Sequence, residues 1–123
     1  MTAIGPYAPA RWAGPTLYVS GQLPLNPATG QIDGATIEAQ TRQVLDNIES
    51  ILKKEGLSWC DVVRVDIFLR EIDQHFKAMN VVYAERFEGC ELKPVRQTVQ
   101  AALPKPEALI EISCVAYRVA KNI

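Results

Sequence analysis

Two stretches of this sequence carry a single apolar stripe each at helical spacing, and that limits what the chain can build. From Thr36 to Glu55, the residues Ile37, Thr41, Val44, Ile48, Ile51 and Leu52 recur at steps of three and four. Arg42, Asp46, Glu49 and Lys53 take the opposite, solvated side. Thr36 is the expected N-cap, Glu38 suits the positive end of the helix dipole, and Gly56 is the expected stop. The second helix runs from Asp73, the expected N-cap, to about Phe87, with Phe76, Met79, Tyr83 and Phe87 as its stripe and Gly89 as its end. A helix with one stripe covers its neighbour from one side only, so both helices need a flat apolar partner.

Strands supply that partner. Residues 16–23 alternate Leu17, Val19, Gly21 and Leu23 against Tyr18, Ser20 and Gln22. Gly14-Pro15 turns the chain before them, so residues 9–13 are expected to form a short partner strand. Over 62–70, Val63, Val65, Ile67 and Leu69 point one way, and Val62, Arg64, Asp66, Phe68 and Arg70 the other. Two late strands are expected at about 95–102 and 108–118, separated by a loop whose Pro104 and Pro106 cannot donate to a ladder. The order is β-β-α-β-α-β-β, an α+β layer with two helices on one face of a single sheet. The other face is mixed, with Tyr18, Ser20, Arg64, Phe68 and either Arg96 or Tyr117, and is either wet or a subunit interface. The 123 residues suit one domain, spanning 1–123.

Composition removes several function classes. Lys and Arg number 13 against 14 Asp and Glu, so no basic footprint for nucleic acid or an acidic membrane exists. The opening Met1-Thr2-Ala3-Ile4-Gly5-Pro6 has no basic or apolar leader pattern, no membrane span is expected, and the expected location is cytoplasmic. Cys60, Cys90 and Cys114 form no C-x-x-C, and an odd count predicts reduced thiols rather than a disulfide framework. The glycines match no nucleotide cradle, and the lone His75 is weak for a metal or a catalytic triad.

Two charges sit inside apolar strand runs. Arg96 lies in Pro-Val-Arg-Gln-Thr-Val, and Glu111 in Leu-Ile-Glu-Ile-Ser. Each is either on a solvated face or buried for a purpose. If the two strands pair as a hairpin, Arg96 and Glu111 come near each other, as a structural ion pair or as a site. An Arg fork grips a small carboxylate bidentately, and a nearby Glu can orient or deprotonate a water.

The sequence also resembles a known family. Gly5-Pro6-Tyr7, then Leu17-Tyr18-Val19-Ser20-Gly21-Gln22-Leu23-Pro24, is similar to the opening of the RidA (YjgF-type) family of imine/enamine deaminases. Asn80-x-x-Tyr83-x-x-x-Phe87 fits its middle, and Pro94-x-Arg96-x-x-Val99, Leu103-Pro104-Lys105 and Ile110-Glu111-Ile112 resemble its C-terminal signature. The resemblance implies a chorismate mutase-like α+β fold and homotrimers with sites between subunits. It implies hydrolysis of 2-aminoacrylate-derived imino acids to 2-keto acids and ammonia, without cofactor or metal. By resemblance, Arg96 binds the substrate carboxylate, Glu111 places the attacking water, and Tyr7, Ser20, Gly21 and Asn80 line the site, with Thr98 where many members carry Cys. The partner is then a small imino or keto acid. A member that binds a small carboxylate or a partner without turnover is the alternative. An endoribonuclease or translation inhibitor is the less favoured one, since only His75 is available and the basic residues are scattered.

Overall fold

The computed structural model describes residues 5–119; Met1–Ile4, on which part of the leader reading rests, lie outside it. Five strands and two helices follow in the expected order: β1 (Ala10–Ala13), β2 (Thr16–Gln22), α1 (Ile37–Lys54), β3 (Val62–Leu69), α2 (Ile72–Arg86), β4 (Val95–Gln100) and β5 (Ile110–Tyr117). A 3-10 turn at Trp59–Asp61 leads into β3. The sheet order is β1-β2-β5-β3-β4. All pairs are antiparallel except β3 with β4, which run parallel. A parallel neighbour requires a crossover, and α2 is that crossover.

Helix α1 starts where its cap says it should. Thr36 Oγ1 accepts from the Ala39 N–H at 3.2 Å, and Gly56 adopts φ +76° just past the end. The α2 cap differs from expectation: Glu71 holds the N-cap position without a side-chain bond, and Asp73 sits in the first turn. Both helices lie on the face lined by Leu17, Val65, Leu69, Ile110, Ile112 and Ala116, all fully buried with Val44, Ile48 and Met79. Burying each large apolar side chain contributes about 1.5–3 kcal/mol relative to leaving it in water. The charged side of α1 is not wholly solvated, because Arg86 of α2 reaches Asp46 at 2.9 Å and Glu49 at 3.5 Å.

Two bulges change which side chains face the core. On β2, Val19 pairs with Cys114 and Gln22 with Ile112, so Ser20 and Gly21 together face Ser113 alone. Gln22 is thereby 6% exposed on the core side, and Gly21 moves to the open face, the reverse of strict alternation. On β3 the ladder shifts between Val62 and Arg64; Val62 is buried with Val65 and Ile67, while Val63 is 48% exposed. One extra residue inverts the parity of a strand, so the period-two reading failed at these two points.

The cysteines also depart from expectation. Cys60 and Cys90 form a disulfide, with Cα atoms 5.2 Å apart, and Cys114 is the free, buried one. The pairing joins the 3-10 turn to the loop after α2, a contact 30 residues apart that spacing does not reveal. Among the described residues, no helix is long and apolar enough to cross a membrane.

Candidate active site

Arg96 and Glu111 do not meet in one chain. β4 and β5 do not form a hairpin; β3 lies between them. Arg96 is level with Val65 on β3, and Glu111 with Phe68, so two strand spacings and three residues of rise separate them by about 14 Å. They also point to opposite faces. Arg96 stands beside buried Val65 toward the helices, and Glu111 alternates with buried Ile110 and Ile112 toward the open face. The open face therefore carries Tyr117 but not Arg96. The candidate residues fall into two clusters.

The first cluster fills the crevice between α2 and β4. Asn80 and Tyr83 stand one helical turn apart on α2, and Arg96 and Thr98 share one side of β4. A cavity of 410 Å³ opens there, lined by Asn80, Tyr83, Phe87, Lys93, Pro94 and Arg96 among others. The Arg96 guanidinium lies 4.8 Å from the centre of the Tyr83 ring and 5.7 Å from that of Phe76. It makes no hydrogen bond and no ion pair among the described residues. Asn80 Oδ1, Tyr83 OH and Thr98 Oγ1 are buried and unpartnered; the fourth such atom among the described residues is Trp59 Nε1. Buried polar atoms left unpaired cost stability, and Asn80 Oδ1 and Thr98 Oγ1, on the two elements that flank the Arg96 guanidinium, suit a polar ligand. Burial pushes the Tyr83 hydroxyl up to about 12 against the opposing pull of Arg96, so it is neutral at physiological pH.

The second cluster gathers at the β2 bulge. A Cβ on Gly21 would lie 2.5 Å from Glu111 Oε2 and 2.9 Å from its Cδ. The carboxylate thus occupies the space the missing side chain leaves. Burial raises the Glu111 pKa above its ordinary value of 4.5. No hydrogen bond or ion pair offsets this among the described residues. The segment carrying Tyr7 is pinned alongside: Ser20 Oγ donates to Ala8 O at 2.6 Å, and the Ser20 N–H to Pro9 O at 2.8 Å. Tyr7 itself is 48% exposed.

Helical periodicity placed Tyr83 in an apolar stripe, because a tyrosine four residues after Met79 and four before Phe87 reads as core. Its hydroxyl, one turn from Asn80, was the available signal that this face is polar. Lys93 was also missed. Its Nζ donates to Phe87 O at 2.7 Å and Cys90 O at 2.9 Å, fixing the loop that walls the cavity.

The fold and these clusters define an α+β protein with an arginine-centred crevice. The chain belongs to the RidA/RutC (YjgF-type) family, matching the family model described as Endoribonuclease L-PSP over residues 1–118. It is 44% identical over 115 residues to a RutC family protein of Pyrococcus horikoshii, covering 94% of this chain and 89% of that one. It is 45% identical over 114 residues to the 3-aminoacrylate deaminase RutC of Acinetobacter baylyi, covering 93% and 88%. Among solved structures, the YjgF gene product of E. coli is similar with a TM-score of 0.86 and 34% identity, over 95% of this chain and 91% of that one. E. coli TdcF with bound serine is similar with a TM-score of 0.87 and 33% identity, over 95% and 91%.

Proposed function

We propose that this protein hydrolyses small 2-imino or enamine acids to 2-keto acids and ammonia. The observation that carries the reading is the Arg96 guanidinium, held against two aromatic faces with its N–H fork unspent among the described residues. A purely structural arginine spends its donors, as Arg70 does on the carbonyls of Leu103, Lys105 and Ala108. A free fork beside a cavity suits a carboxylate. The relative named a 3-aminoacrylate deaminase supports deamination of a small unsaturated amino acid.

The reaction needs only water. A protonated imine is already an electrophile, so the water requires placement more than activation. Arg96 orients the acid, and Glu111 holds the water over the C=N carbon. Water adds to that carbon, and the carbinolamine expels ammonia to leave the keto acid.

Because the clusters face opposite sides of one sheet, the complete site is formed between copies, Arg96, Asn80 and Thr98 coming from one subunit and Glu111, Gly21, Ser20 and Tyr7 from the next. The open sheet face, with Tyr18 at 53%, Val95 at 69% and Val99 at 45% exposed, supplies apolar surface for that contact in a homotrimer.

The test generates imine in situ with a pyridoxal-phosphate dehydratase and follows keto acid release. Arg96→Ala removes a charge-assisted pair of about 2–5 kcal/mol, so kcat/KM should fall roughly 30- to several-thousand-fold. Arg96→Lys should recover only part. Undiminished turnover by an intact Arg96→Ala assembly defeats the proposal. The family description also names an endoribonuclease activity. RNA cleavage that survives Arg96→Ala, with no imine turnover by wild type, decides for that reading instead.

A further inference from the structure

Arg96 is held differently from the other well-anchored arginines. Arg64 pairs with Asp66 at 3.0 Å, Arg86 with Asp46 and Glu49, and Arg118 donates to the Glu55 carbonyl while stacking on Trp12. Arg96 alone in this group rests on aromatic faces with no oxygen partner among the described residues. A π face attracts a cation without accepting any of its N–H groups in the plane of the fork. The contact can therefore fix the guanidinium and leave every donor for a ligand.

The nearer ring is rigidly seated. Tyr83 packs on Phe87 with centroids 4.8 Å apart, and Phe87 meets Trp59 edge-on at 5.1 Å. Phe87 is 2% exposed and Trp59 5%. A ladder of three rings thus runs from the core to the guanidinium. Phe76, at 38% exposure, is the looser second contact.

We infer that Tyr83 is the positioning residue for Arg96: its ring seats the guanidinium plane so that the fork meets the substrate carboxylate at the crevice. This deepens the deaminase reading and rests on it. The ring carries the role, not the hydroxyl. The hydroxyl is unpartnered in the structure, so deleting it removes no protein contact.

The experiment is a double-mutant cycle on pyruvate binding, measured by calorimetry on the intact assembly. Tyr83→Phe keeps the ring and should bind within about twofold of wild type. Tyr83→Leu should bind about tenfold more weakly, the size of a partly desolvated cation–π contact, and should raise KM more than it lowers kcat. In an Arg96→Ala background, Tyr83→Leu should cost nothing further. Wild-type binding by Tyr83→Leu, an equal loss in both backgrounds, or a tenfold loss in Tyr83→Phe overturns the inference. If Tyr83→Leu does not assemble, Phe76→Leu on the exposed ring serves in the same cycle, with a loss of about threefold expected only when Arg96 is present. If Arg96→Ala itself leaves pyruvate binding unchanged, the carboxylate reading falls; if Arg96→Ala weakens binding and Tyr83→Leu does not, only the seating role does.

Discussion

The Glu111 carboxylate lies where a side chain on Gly21 would have to be: Oε2 is 2.5 Å from the Cβ position. The glycine is required there for its lack of bulk, since its φ is not in the left-handed region. The two residues act as one unit, a carboxylate and the space that admits it.

Gly21→Ala should therefore separate activity from folding. The atoms in the way are the end of a flexible side chain, so the methyl group can displace the carboxylate without moving the sheet. Imine turnover should fall by about tenfold or more, while the melting temperature moves by only a few degrees. Wild-type turnover in Gly21→Ala would show that the carboxylate position does not matter.

The raised pKa of Glu111 gives a pH dependence with a definite sign. Burial raises it in the folded state, so between the unfolded value and the folded value the native protein binds more protons. Stability from this group accordingly falls as pH rises through that window. Glu111→Gln should remove that part of the slope and be no less stable at neutral pH. Its imine turnover should be low at every pH. Wild-type turnover should drop on acidification at a higher pH than an ordinary carboxylate allows. Parallel stability–pH curves for the two proteins would contradict the burial argument.

Mixed assemblies test whether sites cross between subunits. Arg96→Ala and Glu111→Gln are each expected to be nearly inactive alone. Refolded together in equal amounts, and if the assembly is the proposed trimer, about a quarter of inter-subunit sites would combine an intact Arg96 with an intact Glu111. Activity near that fraction is expected. No recovery in a mixture shown to exchange subunits would place both residues' roles within one chain.

The element order was legible because the helices and strands repeat their apolar residues at regular periods, as in Ile37 to Leu52 and Val65 to Leu69. Strand pairing was not, because β4 takes β3 as its neighbour through a nonlocal crossover. The faces of Gly21, Gln22, Val62 and Val63 were misread for a single reason, the extra residue in each bulge. Arg96 and Glu111 stood out as charges in apolar runs. That they belong to separate clusters is visible only once β3 is placed between them. Tyr83 was hidden because its ring packs as core on Phe87 while also carrying the Arg96 guanidinium.

The Cys60–Cys90 disulfide should contribute about 2–4 kcal/mol through the loop it closes. Denaturant midpoints with and without a thiol reductant should differ accordingly, and the Cys60→Ser, Cys90→Ser double variant should show no such difference. Reduction should also weaken pyruvate binding, because Lys93 grips the Cys90 carbonyl in the loop that walls the cavity. Identical midpoints would remove the cross-link from the stability of the fold.

The bulge at Ser20–Gly21 makes β2 sensitive to chain length as well as to side-chain identity. Removing either residue would let the ladder with β5 close without a gap, and the backbone would pair as well as before. Yet deleting Gly21 would put the Ser20 side chain in the space the Glu111 carboxylate fills, and deleting Ser20 would remove the hydroxyl that pins the segment carrying Tyr7. A one-residue deletion here is thus expected to yield a folded, stable and inactive protein. In a lineage of such chains, gaps in this strand should be rarer than substitutions at the same positions.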